Sequence, residues 1–243
     1  MPIARSSTAA DNYERRDLAI LRHVALYGVM LNAPIARLFF AGKQAGQITR
    51  RLADEGFLEL FPRALPGGIT YARLTKSGCV KVGVSEKLSR PLSGHALSQA
   101  IGVVCYSSLG SHRRHRLLHS ELKRLYGEHA PPPNVQHVLL SDAEFGRHVV
   151  LRVHFATGTA LETMKLLKRH IDDSERNAGL ADAIGPSGSY GFLLLAPTEA
   201  GTNALLQAIE RQELSDRALI SVEFAPGVEG LAPFLRVKKG GAS

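Results

Sequence analysis

The sequence predicts a mixed α and β protein, helical and then β in its first part and α/β in its second, and three observations carry that reading. Stretches with helical spacing run to Glu55, and at Phe57 the pattern changes to strand-like runs. Pro131-Pro132-Pro133 then breaks the chain. Beyond it, the apolar runs Phe192-Leu193-Leu194-Leu195 and Leu219-Ile220-Ser221-Val222 flank an amphipathic segment, which is a βαβ order.

In the first part, Leu18, Ile20, Leu21, Val24 and Tyr27 give one helix that Gly28 stops, and Asn32 is placed to cap a second that buries Ile35, Leu38 and Phe39. Gly42 ends that helix. A third, from Lys43 to Glu55, sets Ala45, Ile48 and Leu52 on one stripe with Gly56 as its carboxyl cap. Phe57–Phe61 and Ile69–Leu74 then read as a hairpin with a long tip from Pro62 to Gly68.

The 243 residues hold 30 basic and 22 acidic side chains, and the excess is local. Residues 1–91 carry 14 basic and 7 acidic groups, while the remainder is close to balanced. A field of that sign attracts polyanions, so nucleic acid or an anionic membrane surface leads as partner class. No apolar run approaches the ~20 residues of a spanning helix, and Met1–Ala10 lacks the apolar centre of a signal peptide, so a cytoplasmic protein without a membrane partner is expected. Cys79 and Cys105 lack CxxC spacing and read as buried thiols.

Three helices and a hairpin closing on Leu74-Thr75-Lys76-Ser77-Gly78 resemble the winged helix-turn-helix proteins, over about residues 14–88. The resemblance implies that the third helix reads the major groove. The side opposite its buried stripe holds Lys43, Gly46, Gln47 and Arg50, flanked by Gln44 and Arg51. Arginine chelates guanine and glutamine pairs with adenine. Asp54 points partly the same way and would repel phosphate, which confines the contact to the first two turns. Arg63 at the wing tip, with Arg73 and Lys76 at its return, are placed for phosphate or minor-groove contacts.

Residues 91–130 read as two connecting helices, an inter-domain pair or a homodimer seam. The first is His95–Leu109, and the second begins with the basic run Arg113-Arg114-His115-Arg116 and carries Leu117, Leu118, Leu122 and Leu125. His112, His115 and His119 have helical spacing, yet the neighbouring arginines disfavour a divalent cation. Over 131–232 the order is strand (Val135–Leu140), strand (His148–Phe155), helix (Thr159–Asn177), loop (Gly185–Gly191), strand (Phe192–Ala196), helix (Glu199–Glu213) and strand (Ala218–Phe224). A largely covered central sheet is expected.

A winged helix, a helix opening with His95-Ala96-Leu97 and then an α/β domain resemble the replication-relaxation family of plasmid and mobile-element proteins, over about residues 17–225. Their second domain is similar to the restriction-endonuclease-like fold. Relatives carry two acidic residues in the strand that here reads Leu151-Arg152-Val153-His154-Phe155-Ala156, followed by Arg-Gly-Thr. His154 and Ala156 stand at the acidic positions, and only Gly158 and Thr159 are kept. Hard cations need clustered oxygen ligands, so a non-catalytic domain is expected. Asp142 and Glu144 are the alternative carboxylates of a nuclease reading.

No cofactor is called for. The loop Gly185–Gly191 precedes a strand and lacks a GK[ST] ending, and Thr157-Gly158-Thr159 reads as a capped strand-to-helix turn. The expected function is a sequence-specific double-stranded DNA-binding regulator acting as a homodimer on an inverted repeat. The family resemblance implies a setting in transcription, replication or conjugative transfer of a mobile element. The rival readings are a metal-dependent nuclease or nickase, and an adaptor for a relaxase or replication initiator.

Overall fold

The structure, a computed structural model, describes residues 9–43, 45–92, 94–109, 113–132, 135–142 and 147–240. The chain is mixed α and β and forms two compact units, one built by residues up to Ala100 together with the chain from Leu235, the other by Ile101–Phe234. Among the described residues no helix is long and apolar enough to cross a membrane.

In the first unit α1 (Ala9–Tyr27), β1 (Met30–Leu31), α2 (Asn32–Phe39) and α3 (Gly46–Asp54) precede the hairpin of β2 (Leu58–Leu65) and β3 (Ile69–Leu74), which α4 (Lys76–Val82) follows. Ile20, Leu21 and Val24 of α1 meet Ile35 of α2, Ile48 and Leu52 of α3, and Leu58 and Leu74 of the hairpin in one core. Two local expectations change. Leu31, not Asn32, occupies the cap of α2, and the Asn32 side chain instead meets the buried Thr49 of α3 at 3.2 Å. Leu38 is 49% exposed, so Ile35 carries the buried face of α2.

Ala41 and Gly42 both take left-handed φ, 49° and 83°, and Gly42 N–H donates to the Ala36 carbonyl at 2.8 Å. The turn they make delays α3 to Gly46, so Lys43 lies ahead of the helix rather than on it. β1 had no signal beyond the short apolar run Val29-Met30-Leu31. It pairs antiparallel with β3 and gives a three-stranded sheet in the order β1-β3-β2. The hairpin tip is only Pro66–Gly68, because β2 continues through a register shift between Phe61 and Leu65.

The Leu-Thr-x-x-Gly step has a steric cause. Thr75 Oγ1 accepts from Gly78 N–H at 3.0 Å and donates to the Gly56 carbonyl at 2.6 Å, which seats the start of α4 on the end of α3. A Cβ at Gly78 would stand 2.1 Å from the Phe57 carbonyl oxygen, so only glycine fits.

The boundary between the units falls within α5 (Gly94–Leu109), and Ile101–Leu109 are buried on every side. That burial removes this half of α5 as a seam between two copies. The second expected connecting helix does not form as one element. Arg113–Leu117 are β4, and helix resumes only at α6 (His119–Tyr126), where the Leu118 N–H is capped by the Glu121 carboxylate at 2.7 Å. Alternation decides it: Leu117 packs into the core while Arg114 faces the other side, a period of two that helical spacing of the leucines obscured.

β5 (His137–Asp142), β6 (Arg147–Phe155), β7 (Tyr190–Ala196) and β8 (Leu219–Phe224) complete a five-stranded sheet in the order β4-β5-β6-β7-β8. β4, β5 and β6 pair antiparallel, and β6, β7 and β8 parallel. The parallel pairs need crossovers, supplied by α7 (Ala160–Arg176) and α8 (Glu199–Arg211). Every residue of β7 is buried, as its continuous apolar run requires. Met164, Leu167 and Ile171 of α7 and Leu205 and Ile209 of α8 cover one sheet face. On the other, Phe155 packs so closely on α5 that a Cβ at Gly102 would lie 2.5 Å from its ring. α9 (Leu231–Gly240) ends the fold, with Phe234 edge-on to Phe224.

Candidate nucleic-acid interface

α3 is held from behind and open in front. Its back is fixed by apolar burial of Ala45, Ile48 and Leu52 and by Thr49, whose hydroxyl donates to the Ala45 carbonyl at 3.0 Å. The period of 3.6 then leaves Gly46, Gln47 and Arg50 outside, and all three are exposed. Lys43 is exposed in the turn that leads into the helix. Gln44 lies outside the described residues.

The six cations expected to meet DNA sort into two classes. Lys43, Arg50, Arg63 and Lys76 make no side-chain ion pair among the described residues. Arg51 and Arg73 are engaged. Arg51 Nη2 reaches Asp17 Oδ2 of α1 at 2.5 Å and its Nη1 reaches Glu55 Oε1 at 2.6 Å, and these carboxylates raise its pKa further. Arg73 lies directly across the hairpin from Glu59, donates to it at 2.8 and 2.6 Å, and stacks on the Phe61 ring at 5.0 Å. A guanidinium whose fork is filled by a carboxylate must lose that partner before it can bind a phosphate.

The hairpin brings Arg63 and Lys76 to different places. Arg63 sits in the bulge of β2 with φ 54°, its N–H bonded to Thr70 Oγ1 at 3.2 Å, and is exposed three residues before the tip. Lys76 is the first residue of α4 and exposed. A cation at a helix amino terminus opposes the helix dipole, so this position is not explained by stability. Phe61 and Tyr71 stack at 4.6 Å between the strands and stiffen the hairpin.

In the second unit, His154 of β6 faces α7, with its ring 6.5 Å from that of His170, and Arg152 and Leu167 line the same small hollow. Burial, then the charges of Arg152, His154 and Arg169, hold the His170 pKa down at about 4. Ala156 is buried in the core. Asp142 closes β5 with its side chain outside the described residues, as is all of Glu144. The histidines expected to share a helix face do not: His115 is on β4, 3.6 Å from Glu121, His119 opens α6, and His112 is outside the described residues. Thr159 and Glu162 form a reciprocal cap on α7, with Glu162 Oε2 accepting from Thr159 N–H at 2.9 Å. Cys79 and Cys105 are free and buried, and burial pushes the Cys105 thiol up to about 12.

No family model, no curated protein and no solved structure matches this chain.

Proposed function

We propose that the chain is a sequence-specific double-stranded DNA-binding regulator whose first unit is a winged helix. One observation carries the reading: Gln47 and Arg50 on the outward side of α3, Lys43 in the turn before it, Arg63 on the hairpin and Lys76 at the start of α4 are all exposed, and among the described residues the four cations make no ion pair. Helix α3 lies along the major groove with Gln47 and Arg50 at base edges, and Gly46 permits close approach of its backbone. Lys43, Arg63 and Lys76 contact phosphates. Arg51 and Arg73 hold the frame.

The second unit is a scaffold of restriction-endonuclease-like type without chemistry, in keeping with the likeness to the replication-relaxation family. The resemblance puts His154 and Ala156 at the family's two acidic positions, Arg152 and His170 line the hollow beside His154, and such a set does not suit a hard cation. The protein acts as a homodimer on an inverted repeat in a mobile element, through a surface other than the buried half of α5.

Selection of bound fragments from a random duplex pool tests this. An inverted repeat should emerge, with half-sites separated by whole helical turns of about 10 base pairs. A pool that stays random after repeated rounds refutes sequence reading.

A further inference from the structure

The five-stranded sheet has two outer strands of opposite character. β4 reads Arg113-Arg114-His115-Arg116-Leu117, a basic run that repels a second copy of itself. β8 reads Leu219-Ile220-Ser221-Val222-Glu223-Phe224, without lysine, arginine or proline, and its one charge is held by Arg114. All six residues of β8 are half-buried. An apolar outer strand with none of the usual guards is a template for pairing.

The ladder fixes which of its backbone groups are open. A parallel strand bonds its neighbour through alternate residues only. Ala225 N–H donates to the Ala196 carbonyl at 2.9 Å, while the carbonyl of Leu195 accepts from Ala156 on the β6 side at 2.8 Å. That phase turns Leu219, Ser221 and Glu223 towards β7, and Ile220, Val222 and Phe224 away from it. Among the described residues no hydrogen bond reaches the N–H or C=O groups of these three.

We propose that β8 pairs antiparallel with β8 of a second copy, about a two-fold axis at Val222, and so joins two five-stranded sheets into one. In that register Ile220 lies opposite Phe224 of the second copy and Val222 opposite its own equivalent, so every outward group is paired. These apolar side chains meet on the face where Ile220 and Val222 already pack against the core. On the other face the Ser221 hydroxyl meets the Glu223 carboxylate, a donor against an acceptor. The adjacent registers fail. Centring on Glu223 sets two carboxylates face to face, and centring on Ser221 puts Phe224 opposite Ala218, whose N–H is already given to the Leu214 carbonyl at 3.3 Å. A strand complementary to its own reverse selects a second copy over other extended chains. This names the surface of the homodimer proposed above; its role on DNA rests on that reading, and the pairing itself does not.

The test uses the full chain without DNA. Sedimentation equilibrium at about 100 µM should give a dimer, with the amides of Ile220, Val222 and Phe224 protected from hydrogen exchange. Val222→Pro deletes the central outward N–H, a change that an outer strand tolerates. It should give a monomer of unchanged circular dichroism in which the Ile220 and Phe224 amides exchange about tenfold faster. Ser221→Lys, opposite Glu223, should tighten the dimer about threefold, and Ser221→Glu should loosen it as much. A monomeric parent, a dimer that survives Val222→Pro, or shifts of the same sign in the two Ser221 variants overturns the pairing. Protection gained only from an added peptide of unrelated sequence also overturns it, since another protein then takes the edge. On the selected duplex, Val222→Pro should lose about tenfold or more on the inverted repeat and bind a single half-site as the parent does; equal binding of the repeat overturns the dimer's role there. A chain that dimerises in this way and selects no sequence refutes the DNA reading alone, whereas a monomer that selects one refutes the pairing alone.

Discussion

Arg51 at the end of α3 and Asp17 on α1 share a 2.5 Å hydrogen bond, and Arg51 also holds Glu55 one turn further along its own helix. One guanidinium thus fastens the candidate reading helix to the helix behind it. Exposed pairs of this kind contribute about 0–1 kcal/mol to stability, so the bond matters for orientation more than for folding.

Asp17→Asn separates positioning from simple electrostatics. Removing a carboxylate from a basic domain should tighten DNA binding if charge alone decides. If Arg51 orients α3, affinity should instead fall about fivefold, the ~1 kcal/mol of one such pair. The slope of log affinity against log salt should stay unchanged, because no phosphate contact is lost. Tighter binding by the variant in a fluorescence-anisotropy titration argues against the positioning role.

The paired and unpaired cations should behave differently. Lys76→Ala and Arg63→Ala should each reduce the salt slope by about 1, whereas Arg73→Ala, whose fork is filled by Glu59, should leave the slope nearly as it was. Equal loss of slope in all three variants removes the distinction drawn from the ion pairs.

Acid should weaken the fold before its carboxylates titrate. Burial lowers the pKa of His23 and of His137 to about 4. His137 Nδ1 donates to the Val135 carbonyl at 3.2 Å, which leaves Nε2 to accept from the Tyr190 hydroxyl at 3.0 Å, the arrangement of a neutral ring. Below pH 6.5 the unfolded chain takes up protons that the folded one does not, so stability present at neutral pH is lost as pH falls from about 6.5 to about 4. Urea midpoints at pH 7.5, 5.5 and 4.5 should decline in that order, and His137→Gln should flatten the decline. A midpoint constant between pH 7.5 and 5.5 is the opposing result.

How much of this was readable in advance depended on whether local pattern or tertiary contact set the outcome. The stripe of Ala45, Ile48 and Leu52 fixed the exposed side of α3 without any structure, because helical period alone does that. Gly78 is legible as the last residue of the Leu-Thr-x-x-Gly step, while its reason, the Phe57 carbonyl at 2.1 Å from a would-be Cβ, is a contact across 21 positions that no local pattern records. The Glu59–Arg73 pair was derivable only once the hairpin register was known. The Asp17–Arg51 bond spans 34 positions and had no local signal. Arg113–Leu117 failed for a different reason. Five residues of alternation adjoin leucines at helical spacing, and strand pairing with β5 outweighed that local preference.

The sheet edges supply a further stability test. Arg114 on β4 holds both carboxylate oxygens of Glu223 on β8 at 3.0 and 2.9 Å, donates to the Tyr106 carbonyl at 3.0 Å and stacks on that ring at 3.8 Å. Its side chain is 7% exposed. Glu223→Ala strands this buried charge and should cost about 3–5 kcal/mol, and the double variant Arg114→Met with Glu223→Leu should recover most of that loss. A single variant within about 0.5 kcal/mol of the parent shows that the pair contributes nothing.

Arg50 tests the DNA reading most directly. Measure the affinity of the full chain and of Arg50→Ala for the selected duplex and for a scrambled one, across a salt series. The parent should bind the selected duplex with a steep salt dependence, and Arg50→Ala should lose about 1–3 kcal/mol on that duplex and much less on the scrambled one. Equal affinity of parent and variant for both duplexes at every salt concentration rules out α3 as the reading helix.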